Sequence, residues 1–184
     1  LAYEESLQHR LAHAANLDER IWVTNEILDY YLGETAFDCG GLMFFQKETG
    51  KFRVLSERSR KEEIKGFSVL GDDMTKDTFA ALLKEAKRES PFFIEDVATL
   101  PKNVQECLAC IGATSFFIRP VYFDEELYGF VYLFSQEPLR LDYQMQSKLH
   151  FLSPYLGASL VATAYAVSTR RSTITMDALL NKNS

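Results

Sequence analysis

Few residues in this chain have a type and spacing that could do chemistry, and the clearest are two thiols. Cys107-Leu108-Ala109-Cys110 is a CxxC. On a helix, residues i and i+3 share a face, so the pair could form a disulfide or hold a metal as thiolates. A tetrahedral site wants four ligands, and no second CxxC supplies the rest. Two small residues buried under a sheet is the plainer reading. Arg119 is the next candidate. It stands in the apolar run Ser115-Phe116-Phe117-Ile118-Arg119-Pro120-Val121. Strand alternation puts Phe117, Arg119 and Val121 on one face, and Phe116, Ile118 and Pro120 on the other. Facing a cavity, its fixed fork of donors suits a carboxylate or phosphate. Facing the other way, it pairs with an acidic side chain such as one on a terminal helix, and that structural role is favoured. Asp96 either accepts a ligand hydrogen bond or caps the turn after it, the second being commoner.

These residues need elements to hold them. A long helix is expected from about Tyr3 to Leu32, stopped by Gly33. Leu7, Ala14, Ile21 and Leu28 recur every seven residues, with Leu17, Thr24 and Tyr31 three residues after the last three. That seam, interrupted by Arg10 and Thr24, suits a helix that covers a sheet and also pairs with a twin. Cys39 is expected to be a core residue at a strand start. Gly40 to Gln46 reads as a central strand, apolar on both faces. Lys47-Glu48-Thr49-Gly50 is a hairpin turn leading to a partner strand from Lys51 to Glu57, with Phe52 and Val54 on one face. Gly66 to Gly71 reads as a short strand. Asp72 or Asp73 then caps a helix to about Glu89. Pro91 to Ile94 is another short strand, and Pro101 to Ile111 a helix ending at Gly112. Ser115–Val121 and Leu127–Leu133 form a hairpin around the acidic turn Asp124-Glu125-Glu126. Pro120 calls for an edge, a bulge or a pairing gap, and Gly129 for a close approach by backbone or ligand. Asp142 caps the last helix, whose stripe is Leu149, Leu152, Leu156 and Leu160 and which Pro154 should kink.

Composition narrows the function classes. The 184 residues are 47% hydrophobic and 25% charged, as in ordinary globular domains. The 14 Phe and 9 Tyr imply a large core or an apolar cavity. A net charge of −6 with no basic stripe argues against nucleic-acid binding. Three cysteines, an odd number, argue against a disulfide-stapled secreted domain and for a cytoplasmic location. The chain begins with Leu1, so a piece of a longer protein is expected. No charged residue lies between Lys148 and Arg170, but the stretch holds Ser153, Pro154, Gly157 and Thr163. A helix buried against protein is expected there, not a membrane span.

The order Ser115, apolar run, Pro120, polar turn, Gly129 in a second apolar run resembles the signature hairpin of GAF domains. Two further places are similar to that family: Cys39 to Leu55 with its Thr49-Gly50 turn, and Pro91 to Val97, whose strand ends at Asp96. The resemblance spans about Ile21 to Val167. It implies an α+β, PAS-related fold: one antiparallel sheet of five to six strands, helices on both sides, and the long terminal helices on one face. It implies residues 1–20 as an extension of a signalling or dimerisation helix, 21–167 as the GAF domain, and 168–184 as a linker toward an absent output domain. It also implies a sensory, regulatory role in signal transduction rather than catalysis, with an unidentified small molecule bound and a signal relayed through a homodimer's terminal helices, without membrane contact. The walls of the ligand pocket would be Phe67, Val69, Phe79, Leu83, Phe92, Ile94, Ile111, Ser115 and Tyr132, with Asp96 and Arg119 as polar anchors.

The family's subclasses leave the cofactor unknown. The Asn-Lys…Phe…Asp-Glu pattern of cyclic-nucleotide binders is absent. Leu149, not Cys, precedes His150, so that bilin attachment is missing. His9 and His13 fall on the first helix, outside a haem pocket. Free methionine-sulfoxide reductases share the fold and hold a nucleophile near Cys107 and Cys110, but their cysteine in the segment corresponding to Val69-Leu70-Gly71 is absent. The other alternative is a ligand-free dimerisation module whose cavity is filled by its own aromatics.

Overall fold

The computed structural model describes residues 2–86 and 92–182, with the backbone alone at 72, 73, 152 and 167–182. The first helical stretch is two helices, α1 (Ala2–Ala12) and α2 (Leu17–Glu34). Asn16 has an extended backbone, and its side chain accepts from the Glu19 amide at 2.8 Å. Glu19 reaches back to the Ala15 amide at 2.9 Å. This reciprocal cap starts a new helix and so ends the single helix expected from Tyr3 to Leu32. α1 folds back along α2: Arg10 forms a two-pronged ion pair with Glu26, and Glu4 accepts from Tyr30 one end further on. The heptad seam is therefore partly consumed within the chain, with Leu7, Thr24, Leu28 and Tyr31 all buried.

Strands β1 (Cys39–Gln46), β2 (Lys51–Ser59), β3 (Phe92–Ile94), β4 (Ser115–Phe123) and β5 (Glu126–Ser135) form one antiparallel sheet in the order β2-β1-β5-β4-β3. The fold class is α+β, and the expected sixth strand at Gly66–Gly71 is instead a kinked 3-10 segment, Phe67–Asp73. The next helix, α3 (Lys76–Ala86), is capped by Thr75, whose hydroxyl accepts from the Thr78 amide, and not by Asp72 or Asp73. Its expected end near Glu89, and Pro91 ahead of β3, lie outside the described residues. A short 3-10 turn (Val97–Thr99) and α4 (Lys102–Ala109) lead into β4. Asp142 accepts from the Met145 amide at 2.8 Å and so caps α5 (Tyr143–Lys182), which runs on through Pro154. Among the described residues, no helix is long and apolar enough to cross a membrane.

Each face of the sheet carries its own core. On one, α1, α2 and α5 pack over Leu42, Phe117, Val121, Val131 and Leu133. On the other, α3, α4 and the 3-10 segment pack over Met43, Phe116, Ile118, Phe130, Tyr132 and Phe134. Strand alternation sorts the residues between the two layers, so β1, β4 and β5 are apolar on both faces. Gly129 sits at φ 144°, and a Cβ there would lie 1.8 Å from the Met43 carbonyl oxygen. Here β5 meets β1 too closely for any side chain, the close approach its place in the strand implies. Pro120 lies beyond Ile118, the last β4 residue paired with β3, and just before an irregularity at Val121/Tyr122. The strand thus offers both a pairing gap and a bulge near the missing N–H.

Candidate functional site

The layer under α3, α4 and the 3-10 segment holds most of the residues expected to wall a ligand pocket. Its organising residue is Glu57 on β2. Leu42 pairs with Ser56 and Met43 with Val54, so Leu55 is an extra residue in β2. This bulge reverses the alternation beyond it. Glu57 thereby comes to the same face as Val54 and Phe52. Across the sheet, Glu57 lines up with Gly41, Tyr132, Ile118 and Phe92 in one row. Gly41 has no side chain, and a Cβ there would lie 2.5 Å from the Tyr132 hydroxyl. The Tyr132 ring therefore lies over Gly41, and its hydroxyl donates to the Glu57 carboxylate.

The same carboxylate holds the 3-10 segment. It accepts from the Gly66 amide at 3.2 Å, the Ser68 amide at 3.3 Å and the Ser68 hydroxyl. A segment fastened this way has its backbone donors satisfied by a side chain and does not join a ladder, the physical reason that Gly66–Gly71 is not a strand. Cys39 lies beside the cluster, its Sγ accepting from Ser59 Oγ at 3.3 Å. Burial, with Glu57 close by, holds the Tyr132 phenol well above its ordinary range. Burial likewise pushes the Cys39 thiol up to about 12.

The layer's interior is filled by rings. Phe52, Phe67, Phe79, Phe116, Phe130 and Tyr132 are each under 2% exposed. Phe67 is their hub, with ring centroids 5.1 Å from Phe79, 4.9 Å from Tyr132 and 6.1 Å from Phe116, all edge-on. Such edge-to-face pairs add stabilisation beyond the area they bury.

The predicted site residues divide accordingly. Phe67, Phe79, Leu83, Ile94, Ile111 and Tyr132 share this one core, with Phe92 packed against it. Val69 does not: it is 52% exposed, turned to solvent by the 3-10 conformation. Asp96 caps the turn after β3, accepting from the Ala98 amide at 2.9 Å. Ser115 points away from the rings; its hydroxyl donates to the Glu95 carbonyl and accepts from the Leu139 amide at 2.8 Å. Arg119 lies on the terminal-helix face, half-buried, 3.4 Å from Ser153 Oγ of α5. The carboxylate partner expected for it is not found among the described residues, and burial lowers its pKa. Glu57 is not identifiable from sequence because a bulge shows no residue signature.

Cys107 is half-buried on α4 and Cys110, the residue that follows the helix, is exposed; both are free thiols. The Cys110 thiol donates to the Cys107 carbonyl at 3.0 Å. Burial raises both, Cys107 to about 12, so at neutral pH they are protonated and poor nucleophiles. Among the described residues, no group of three or more His, Cys, Asp or Glu stands close enough to hold a metal.

No protein-family model matches the chain, and no curated protein matches it in sequence. Solved structures do. The chromophore-binding domain of an unusual bacteriophytochrome from R. palustris superposes with a TM-score of 0.69 at 14% identity, over 90% of this chain and 61% of that one. The phycocyanobilin-bound GAF domain of a cyanobacterial phytochrome gives 0.63 at 18% identity, over 89% and 94%. The GAF domain of an Acinetobacter phosphoenolpyruvate-protein phosphotransferase gives 0.64 at 13%, over 90% and 94%. With the β2-β1-β5-β4-β3 sheet between two helical layers, these likenesses identify the chain as a domain of the GAF fold.

Proposed function

We propose that this chain is a regulatory sensory domain of a cytoplasmic signalling protein. It takes a small molecule between the sheet and the α3–α4 layer and relays that event through its terminal helices. The observation that carries this reading is the Glu57 cluster. One carboxylate ties the 3-10 segment, β2 and Tyr132 of β5 together. The reverse face of β5 packs on the terminal helices through Val131 and Leu133. A ligand that displaced rings from the interior would lift the 3-10 segment and shift β5 against α5. It can do so only by binding the lifted state more tightly. The sensory unit would span 21–167 together with α1, whose Leu7 and Leu11 are buried in it. Residues 168–184 would lead to an output domain, and two copies would pair through terminal helices. GAF domains of this fold carry phycocyanobilin in one neighbour, which supports a small-molecule role.

The filled interior favours a second reading, a ligand-free GAF-like dimerisation module. Native mass spectrometry of the purified protein, before and after gentle denaturation, separates the two. A co-purifying molecule released on denaturation supports the sensor and gives the ligand's mass. An apo dimer with no released mass supports the module.

A further inference from the structure

An open cleft lies at the other end of the sheet from the Glu57 cluster. Pairing between β1 and β5 stops at Phe44–Gly129, while each strand runs on inside its own hairpin. The two hairpin tips therefore splay, bridged at the rim by Lys47 and Glu126 at 2.8 Å. A cleft of about 980 Å³ opens between them, walled by α3 on one side and by Ala164 and Tyr165 of α5 on the other. That is the size of a small-molecule site.

Its chemistry is polarised. Phe45, Leu127 and Tyr128 supply apolar surface. Lys76, Ala80 and Lys84 line it from one face of α3, at i, i+4 and i+8. The two lysines lie about 12 Å apart along the helix axis, and the small Ala80 between them leaves the floor open. Lys76 rests its ammonium 5.9 Å from the Phe45 ring centroid. Neither lysine has a carboxylate at ion-pair distance among the described residues. The tips opposite carry Glu48 and Glu125, which repel an anion.

We propose that this cleft is a second ligand site, for an organic anion with a flat apolar body. The body lies against Phe45 and Tyr128, and the acidic group turns to Lys76 and Lys84, away from the hairpin-tip carboxylates. The occupant touches α3, both hairpins and α5 at once, so this site reaches the exit helix without passing through the ring-filled layer. It stands independently of the sensory reading above.

The probe is 8-anilinonaphthalene-1-sulfonate, titrated into the full chain by fluorescence and by amide-resolved NMR. Saturable binding with shifts at Lys76, Ala80, Lys84, Tyr128 and Ala164 is expected. In K76E/K84E, whose two positions are exposed, binding weakens at least ten-fold while circular dichroism is unchanged. Ala80→Trp, which fills the floor, abolishes it. Unchanged affinity in both variants, or shifts confined to other surfaces, would overturn the proposal.

Discussion

Gly129 illustrates how much one residue type can decide. Its positive φ is a conformation L side chains rarely adopt, and the Met43 carbonyl occupies the place of a Cβ. Alanine there must either push β1 away from β5 or break their pairing, in the middle of the sheet. Gly129→Ala is expected to cost more than about 4 kcal/mol, at the upper end for single substitutions. Urea denaturation monitored by circular dichroism measures this, and a loss under about 1 kcal/mol would contradict the geometry. By contrast, Gly33 does not stop the helix as expected: α2 runs through it to Glu34 and is capped at Thr35, and a Cβ at Gly33 would meet nothing within 4 Å. Both glycines are equally visible in the sequence; only the neighbouring strand distinguishes them.

At the scale of elements, the 3-10 segment depends on a residue outside itself. In Glu57→Ala the Gly66 and Ser68 amides lose their acceptor, and the fully buried Tyr132 hydroxyl is left without a partner, at a cost of about 1–3 kcal/mol. Hydrogen exchange should show those two amides opening at least ten-fold faster, with β4–β5 amides little changed relative to the new global stability. Equal acceleration throughout would mean the segment is not a separate opening unit. The two hairpins and the caps at Asp96 and Asp142 are legible in the sequence, since turn and cap residues act on their own neighbours. Asn16 with Glu19 is legible too, as an N-cap followed three residues later by a glutamate, yet the uninterrupted helical run conceals it. The bulge at Leu55 is not legible, because it arises from how β2 pairs with β1.

For the whole molecule, several buried acids titrate late. Burial raises Cys39 and Cys107 from an ordinary 9.0 to about 12 and raises the Tyr30 and Tyr132 phenols. The native state therefore keeps protons that the unfolded chain releases. This contribution to stability is fully present below about pH 9 and is lost as pH rises toward the native values. Each such proton gives a slope of about 1.4 kcal/mol per pH unit. The urea midpoint should hold level up to about pH 8.5 and fall steeply by pH 10.5; a flat profile over that range would show that these groups are not held neutral. The sequence by itself determined the two hairpins and the helices between them, because periodicity, turns and caps are local; the antiparallel α+β layout is what the resemblance of that order to GAF domains implied, and the sheet bears it out. It also determined which residues are apolar enough to fill the space beneath α3 and α4. Only the tertiary structure decided that those rings close over the interior, that Arg119 faces α5, and that Glu57 joins the opposite layer. Each of these depends on strand register and on which side of a sheet a residue emerges. A one-residue bulge changes that side without changing the pattern of residue types.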